Sequence, residues 1–351
     1  MEESLLVVWI KFLLCIVIIL FAGIKTTRYA DVIAEKTGLG RIWIGMLLLG
    51  IITSMPELIT GISSVTLVGD EGVPDLGVGT LLGSCIYNLS IIAIIDIMNR
   101  KTPVLNFVSM RHFSSAIIGI AILGIIALST GFSDTIGKLS LGWVGIPGIL
   151  IFVIYIAGAW WIFTSERNFQ LSLIPAFPEV TGEIPPGEAT ESNDIKLLWP
   201  KFFLSAVVII ATGIWLSYVG NEIAEVTGWD SSFVGSIFLA VSTSMPELIV
   251  AISAFRMGAI DLAVADIFGA NMLDVTYVFV LDVLYSKGLL MSSVSSSHTI
   301  SAVIAIIMTG IILLGIKYKR ERKLFRIISW YGLALLTLYI TGAYILFALS
   351  G

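Results

Sequence analysis

The heptapeptide Thr-Ser-Met-Pro-Glu-Leu-Ile occurs twice in this chain, at Thr53–Ile59 and at Thr243–Ile249. Both copies lie inside long apolar segments, and each carries one carboxylate, Glu57 or Glu247. A carboxylate near the centre of a membrane helix costs on the order of 3 kcal/mol on insertion scales. The same unfavourable residue in the same local sequence, each time just after a proline, points to two matched, broken helices at the interface of an internal repeat.

The background supports a membrane setting. The chain is 57% hydrophobic and 13% charged, with a mean hydropathy of +0.99. That composition describes a polytopic membrane protein and argues against a nucleic-acid partner. The net charge of -5 says little, because most charges fall between the apolar runs. Runs of roughly 20 residues suffice to cross a ~30 Å hydrocarbon core. Ten are expected, at about 4–24, 41–67, 75–98, 113–130, 142–163, 199–219, 232–256, 260–285, 298–317 and 325–349. Cys15 and Cys85 both lie in apolar segments, so no disulfide framework is expected. The first run lacks a basic region before it and is read as a retained helix, not a signal peptide.

Basic residues set the expected orientation. The first loop holds Lys25, Arg28, Lys36 and Arg41, the third Arg100, Lys101 and Arg111, and the last Lys317, Lys319, Arg320, Arg322, Lys323 and Arg326. The second loop, and the loop between the sixth and seventh spans, hold none. Both termini are therefore expected outside the cytoplasm, in a plasma (inner) membrane. Residues 164–198 contain Pro175, Pro178, Pro185 and Pro186 with Glu179, Glu183, Glu188, Glu191 and Asp194, and read as an acidic cytoplasmic linker. It has no EF-hand spacing. The linker divides a first half, 1–163, from a second, 199–351.

The halves align beyond the heptapeptide. Ile33-Ala34-Glu35 matches Ile223-Ala224-Glu225 at an offset of 190, which the two heptapeptides keep. After a four-residue insertion around Gly69–Pro74 the offset becomes 186. Asp75, Gly83, Asn88 and Asp96 then match Asp261, Gly269, Asp274 and Asp282. Five helices per half is an odd number, so the second half is inverted relative to the first. The expected fold is thus an all-α polytopic membrane protein with ten transmembrane helices in two inverted-topology five-helix repeats.

The chemistry at the repeat is oxygen chemistry. Pro56 and Pro246 lack an N–H, which should free the carbonyls of Ile52 and Ser242. Thr53, Ser54 and Glu57 add two hydroxyls and a carboxylate beside them, and Thr243, Ser244 and Glu247 repeat the set. Such donors suit calcium and sodium, not zinc or copper. Thr80, Ser84 and Asn88 share a helical face, matched by Asp266, Ala270 and Asp274. Gly79, Gly83 and Gly269 should let helix backbones approach closely. Glu57, Asn88, Glu247 and Asp274 can then surround one small volume. Three carboxylates exceed a divalent ion by one charge, so one carboxyl is expected to carry a proton.

Blander readings apply to single residues. One buried glutamate can be a structural hydrogen-bonding group, and Ser54, Ser84 and Ser244 can be small packing residues; two glutamates in identical heptapeptides fit that reading poorly. Asp96 and Asp282 lie near helix ends and read as interfacial or capping groups, not ligands. Asp266, two turns from Asp274, reads as lining an access path. Lys11 is expected to snorkel to the outer interface. His112 and His298, at helix starts, read as interfacial.

The paired Thr-Ser-Met-Pro-Glu-Leu segments, with Gly83-Ser84-Cys85-Ile86-Tyr87-Asn88 and Gly269-Ala270-Asn271-Met272-Leu273-Asp274, resemble the two alpha-repeats of the calcium/cation antiporter superfamily, sodium/calcium exchanger type. The signatures span 50–88 and 240–274. The resemblance implies ten helices in two inverted halves. It implies Glu57 and Glu247 as calcium ligands, helped by the carbonyls of Thr53 and Thr243. Sodium would share these carboxylates and use Ser54, Ser84, Ser244 and the carbonyls of Gly50 and Ala240. Asn88 and Asp274 would hold the middle of the site, and the first and sixth helices would slide to switch access. Ala270 stands where the family has a serine, Cys85 where it has an asparagine, and Thr80 and Asp266 where an asparagine is usual. The calcium set is intact; the sodium set is not.

The leading expectation is an antiporter that exchanges calcium for sodium, with no cofactor, a lipid bilayer around it and one chain as the functional unit. A proton/calcium antiporter is the nearest alternative. A cation channel is a different class, which saturable, counter-ion-dependent flux would exclude. An enzyme is not expected: there is no H-E-x-x-H motif.

Overall fold

A segment within hydrocarbon must satisfy its backbone N–H and C=O groups internally, so the apolar runs of this chain form helices. The computed structural model describes residues 5–37, 53–69, 72–100, 102–173, 195–319, 323–324 and 327–349. Its first half holds α1 (Leu5–Thr37), α2 (Met55–Thr66), α3 (Pro74–Met98), α4 (His112–Gly131) and α5 (Ile146–Leu173). Its second half holds α6 (Ile195–Thr227), α7 (Ser231–Thr243), α8 (Met245–Arg256), α9 (Ile260–Leu284), α10 (Ser297–Lys317) and α11 (Trp330–Leu349).

The elements repeat in register. α2 and α8 begin at Met55 and Met245, and α1 and α6 end at Thr37 and Thr227, all at the offset of 190. α3 and α9 begin and end at an offset of 186. Among the described residues, seven helices are long and apolar enough to cross a membrane, and the bent pair α7–α8 makes up to eight.

Several boundaries differ from expectation. α1 and α6 each run 33 residues, about 50 Å at 1.5 Å per residue, and outlast the apolar stretch that marks them. Lys25 and Arg28, expected in a loop, are therefore on α1. The fifth span, expected from 142, begins after a hairpin in which Ser140–Leu141 pairs with Val144–Gly145. Gly142 turns it with a φ of +69°, a value β-carbon sterics discourage in other residues. The expected linker is shorter where it is described, because α5 continues to Leu173 and α6 begins at Ile195. Residues 174–194, and the start of the expected second span at 38–52, lie outside the described residues.

α3 and α9 form the centre. Buried residues make up 94% of the most apolar window of α3 and 72% of that of α9, against 28% for α1 and 22% for α11. A helix apolar all round belongs in such a position. Close packing is visible at Gly83 of α3, where a β-carbon would come within 2.1 Å of the Ser236 carbonyl oxygen. Gly79 meets the same strand of α7 backbone. Around Gly269 no described atom lies close. The segment matching Ser236 in the first half falls within 38–52, outside the described residues.

Both end-carboxylates are buried and bond backbone N–H groups in parallel ways. Asp96 accepts from the Val104 N–H at 3.0 Å and Asp282 from the Leu290 N–H at 3.1 Å, each eight residues on. Each also accepts an N–H just before the last helix of a half: Asp96 from Ser329, Asp282 from Gly145, both at 2.7 Å. Asp96 has in addition the Tyr331 hydroxyl at 2.8 Å and the Lys323 ammonium at 3.4 Å.

Candidate functional site

The two heptapeptides break their helices in the same way. Ser54 has φ -85° and ψ 9°, Ser244 φ -85° and ψ 12°, and a new helix starts one residue later. Pro56 and Pro246 fall in the first turn of that new helix, where the missing N–H has no partner to lose. The proline thus opens a helix in each case. α7 and α8 meet at 45° across the break. A five-residue π turn, Gly235–Leu239, precedes it; such turns recur at functional sites.

The breaks face each other through reciprocal bonds. The Ser244 hydroxyl donates to Glu57 Oε1 at 2.9 Å, and the Ser54 hydroxyl donates to Glu247 Oε1 at 3.2 Å. Ser84 Oγ lies 3.5 Å from Thr243 Oγ1. Between the central helices, Asn88 Nδ2 donates to Asp274 Oδ2 at 3.5 Å. All of these side chains are completely buried. The structure thereby brings together Glu57, Glu247, Asn88, Asp274, Ser54, Ser244, Ser84 and Thr243. Thr53 and Ala240 are buried beside them. Gly50 and Ile52 lie outside the described residues. Thr80 turns its hydroxyl back to the Leu76 carbonyl at 2.8 Å, and Asp266 is half-buried.

Among the residues brought together here, four acceptor oxygens are buried without a hydrogen-bond donor: Glu57 Oε2, Glu247 Oε2, Asp274 Oδ1 and Asn88 Oδ1. Buried carboxylate oxygens normally take donors or cations. Two of the four follow the helix breaks and two lie on the central helices, where Asn271 Oδ1 of α9 is a further buried acceptor without a donor. Among the described residues, no group of three or more His, Cys, Asp or Glu forms a ready-made metal cluster. The donor set is instead mixed carboxylate, amide and hydroxyl oxygen, the ligand chemistry that suits hard cations.

The long helices lie against the breaks. A β-carbon at Gly23 of α1 would meet Pro246 Cγ at 2.7 Å, and one at Gly213 of α6 would meet Ile59 at 3.0 Å. Gly23 and Gly213 keep the offset of 190.

Some contacts went unread in the sequence. His112 bonds Asp261 and His298 bonds Asp75, both at 2.9 Å, tying the start of α4 to α9 and the start of α10 to α3. The offset of 186 relates one pair to the other, which was the available signal. His298 is completely buried. Asn271 Nδ2 donates to the Cys85 carbonyl at 3.1 Å, linking two positions that also differ by 186. Lys11 does not simply snorkel outward: it pairs with Glu222 on α6 at 3.1 Å.

Comparison with known proteins agrees with this architecture. The family described as sodium/calcium exchanger protein matches residues 7–163 and 197–348. The putative antiporter CaxA of Alkalimonas amylolytica is 22% identical over 345 residues, covering 98% of this chain and all of the relative. The crystal structure of the H+/Ca2+ exchanger CAX superposes with a TM-score of 0.67 at 13% identity, covering 98% of this chain and 85% of that one. A structure of the sodium-calcium exchanger NCX_Mj superposes with a TM-score of 0.60 at 17% identity, covering 97% and 99%. The chain belongs to the sodium/calcium exchanger protein family, a family of membrane cation exchangers and not of enzymes.

Proposed function

We propose that this protein is a secondary antiporter that exports calcium in exchange for sodium through one site at the membrane midplane. The four orphan oxygens of Glu57, Glu247, Asp274 and Asn88, gathered from two matched helix breaks and two central helices, carry this reading. Glu57 and Glu247 would be the shared ligands, with the carbonyls of Thr53 and Thr243. Ser54, Ser84, Ser244 and the carbonyls of Gly50 and Ala240 would add flanking sodium positions. Calcium or sodium ions can neutralise these carboxylates, but both sets cannot do so together, and that competition couples the two flows.

The reciprocal bonds support an inverted relation of the halves. Contacts in which residue i meets j′ and j meets i′ are those a two-fold relation produces. In this reading ten spans form two inverted five-helix repeats, with both termini outside the cytoplasm of a plasma (inner) membrane. One chain contains the whole site, so a monomer suffices. α1 and α6, seated on the breaks through Gly23 and Gly213, would slide to expose the site to either side.

Ala270 favours a second reading, a proton/calcium antiporter. It is buried on the face of α9 that carries Asp274 and offers no hydroxyl to sodium.

Radioactive calcium uptake into proteoliposomes, with outward sodium or outward proton gradients imposed separately, tests both. Uptake driven by sodium alone is the expected result. Uptake driven only by protons would move the protein to the second reading, and uptake without any counter-ion gradient, following the calcium gradient, would indicate a channel.

A further inference from the structure

We propose that the groove between α1 and α6 is a binding site for one anionic phospholipid of the cytoplasmic leaflet. The groove has a volume of about 360 Å³ and an almost wholly apolar wall, including Phe21, Ala22 and Leu204. Lys25, Tyr29 and Lys201 gather at one end. No carboxylate lines it. Among the described residues neither lysine has a carboxylate partner, although Lys11, elsewhere on the same helix pair, is paired with Glu222.

The geometry fits a lipid lying along the helices. α1 and α6 run antiparallel, since Lys11 meets Glu222 while Tyr29 and Lys201 line one groove. Lys25 is 14 residues past Lys11, about 21 Å along the axis. The two lysines therefore mark one end of the span and the Lys11–Glu222 pair the other. In the proposed orientation the Lys25 and Lys201 end is cytoplasmic, where anionic lipids concentrate. The phosphate would sit between the two ammonium groups with the Tyr29 hydroxyl, and a stretch of one acyl chain would follow the apolar wall. A zwitterionic headgroup would bring its own cation to two lysines, so charge selects the anionic lipid.

Native mass spectrometry of the full-length protein tests this without reference to transport. The detergent-solubilised protein is equilibrated with equal amounts of palmitoyl-oleoyl phosphatidylglycerol and phosphatidylcholine. Several-fold preferential retention of phosphatidylglycerol is expected, lost in the double variant Lys25→Gln/Lys201→Gln and kept in Lys138→Gln. Equal retention of the two lipids, or undiminished preference in the double variant, would overturn the site. Displacement of the lipid by excess inorganic phosphate would also overturn it, in favour of a free-anion site. Should the double variant fail to fold, wild-type protein labelled with a phosphatidylglycerol bearing a photoreactive acyl chain gives the answer. Adducts within 17–29 or 201–208 are expected, and adducts confined elsewhere would refute the proposal.

Discussion

At the level of single residues, the site is an arrangement of acids whose outer oxygens lack donors. Glu57 and Glu247 each receive one serine hydroxyl from the opposite break and keep one oxygen bare. Ala270 is the position at which chemistry and resemblance part company. Ala270→Ser should lower the sodium concentration for half-maximal calcium uptake if the absent hydroxyl limits sodium binding; unchanged sodium dependence in proteoliposomes would remove that idea. The two glutamates were legible in the sequence because a carboxylate stands out in an apolar run and because the heptapeptide that carries it occurs twice. Their partners were less legible. Ser54 bonds Glu247 and not its own neighbour Glu57, an exchange that depends on how the two breaks cross in space. The partners of the histidines were hidden for a related reason, since a helix-start position does not reveal that an aspartate from the other half will pair with it.

At the level of elements, the central helices approach through glycine. A β-carbon at Gly83 would collide with the Ser236 carbonyl, and backbone cannot move aside as a flexible side chain can. Gly83→Ala should destabilise the protein by about 1–3 kcal/mol, the usual range for overpacking, seen as a lower midpoint of thermal unfolding in detergent. The capping carboxylates make a second comparison. Asp96 holds a buried ammonium as well as backbone N–H groups, whereas Asp282 holds N–H groups of Gly145 and Leu290. Breaking a buried ion pair costs about 3–5 kcal/mol, so Asp96→Asn should lower the midpoint more than Asp282→Asn; equal losses would show that Lys323 contributes nothing. Glycine spacing announced the close approach at Gly83, and helix-end position announced both caps. Element ends were harder to read. α1 and α6 carry helix well past the apolar stretch, because polar residues such as Lys25 and Arg28 are good helix formers and the partner helix supports them. The hairpin at 140–145 was hidden in what reads as a continuous apolar segment.

For the whole molecule, the repeat organises nearly everything described. Helix breaks, buried end-carboxylates and His–Asp links recur in pairs at offsets of 190 or 186. In the proposed function, duplication supplies within one chain what channels commonly obtain from several subunits, and gives two faces through which one site would open in turn. All of this depends on the matched glutamates holding the cation. Calcium titration calorimetry of purified wild-type protein, Glu57→Gln and Glu247→Gln addresses that point most directly. The wild type should give a saturable calcium isotherm that added sodium suppresses, and each variant should lose calcium binding while keeping its helical circular dichroism. Folded variants that bind calcium as the wild type does would contradict a site built on these two carboxylates.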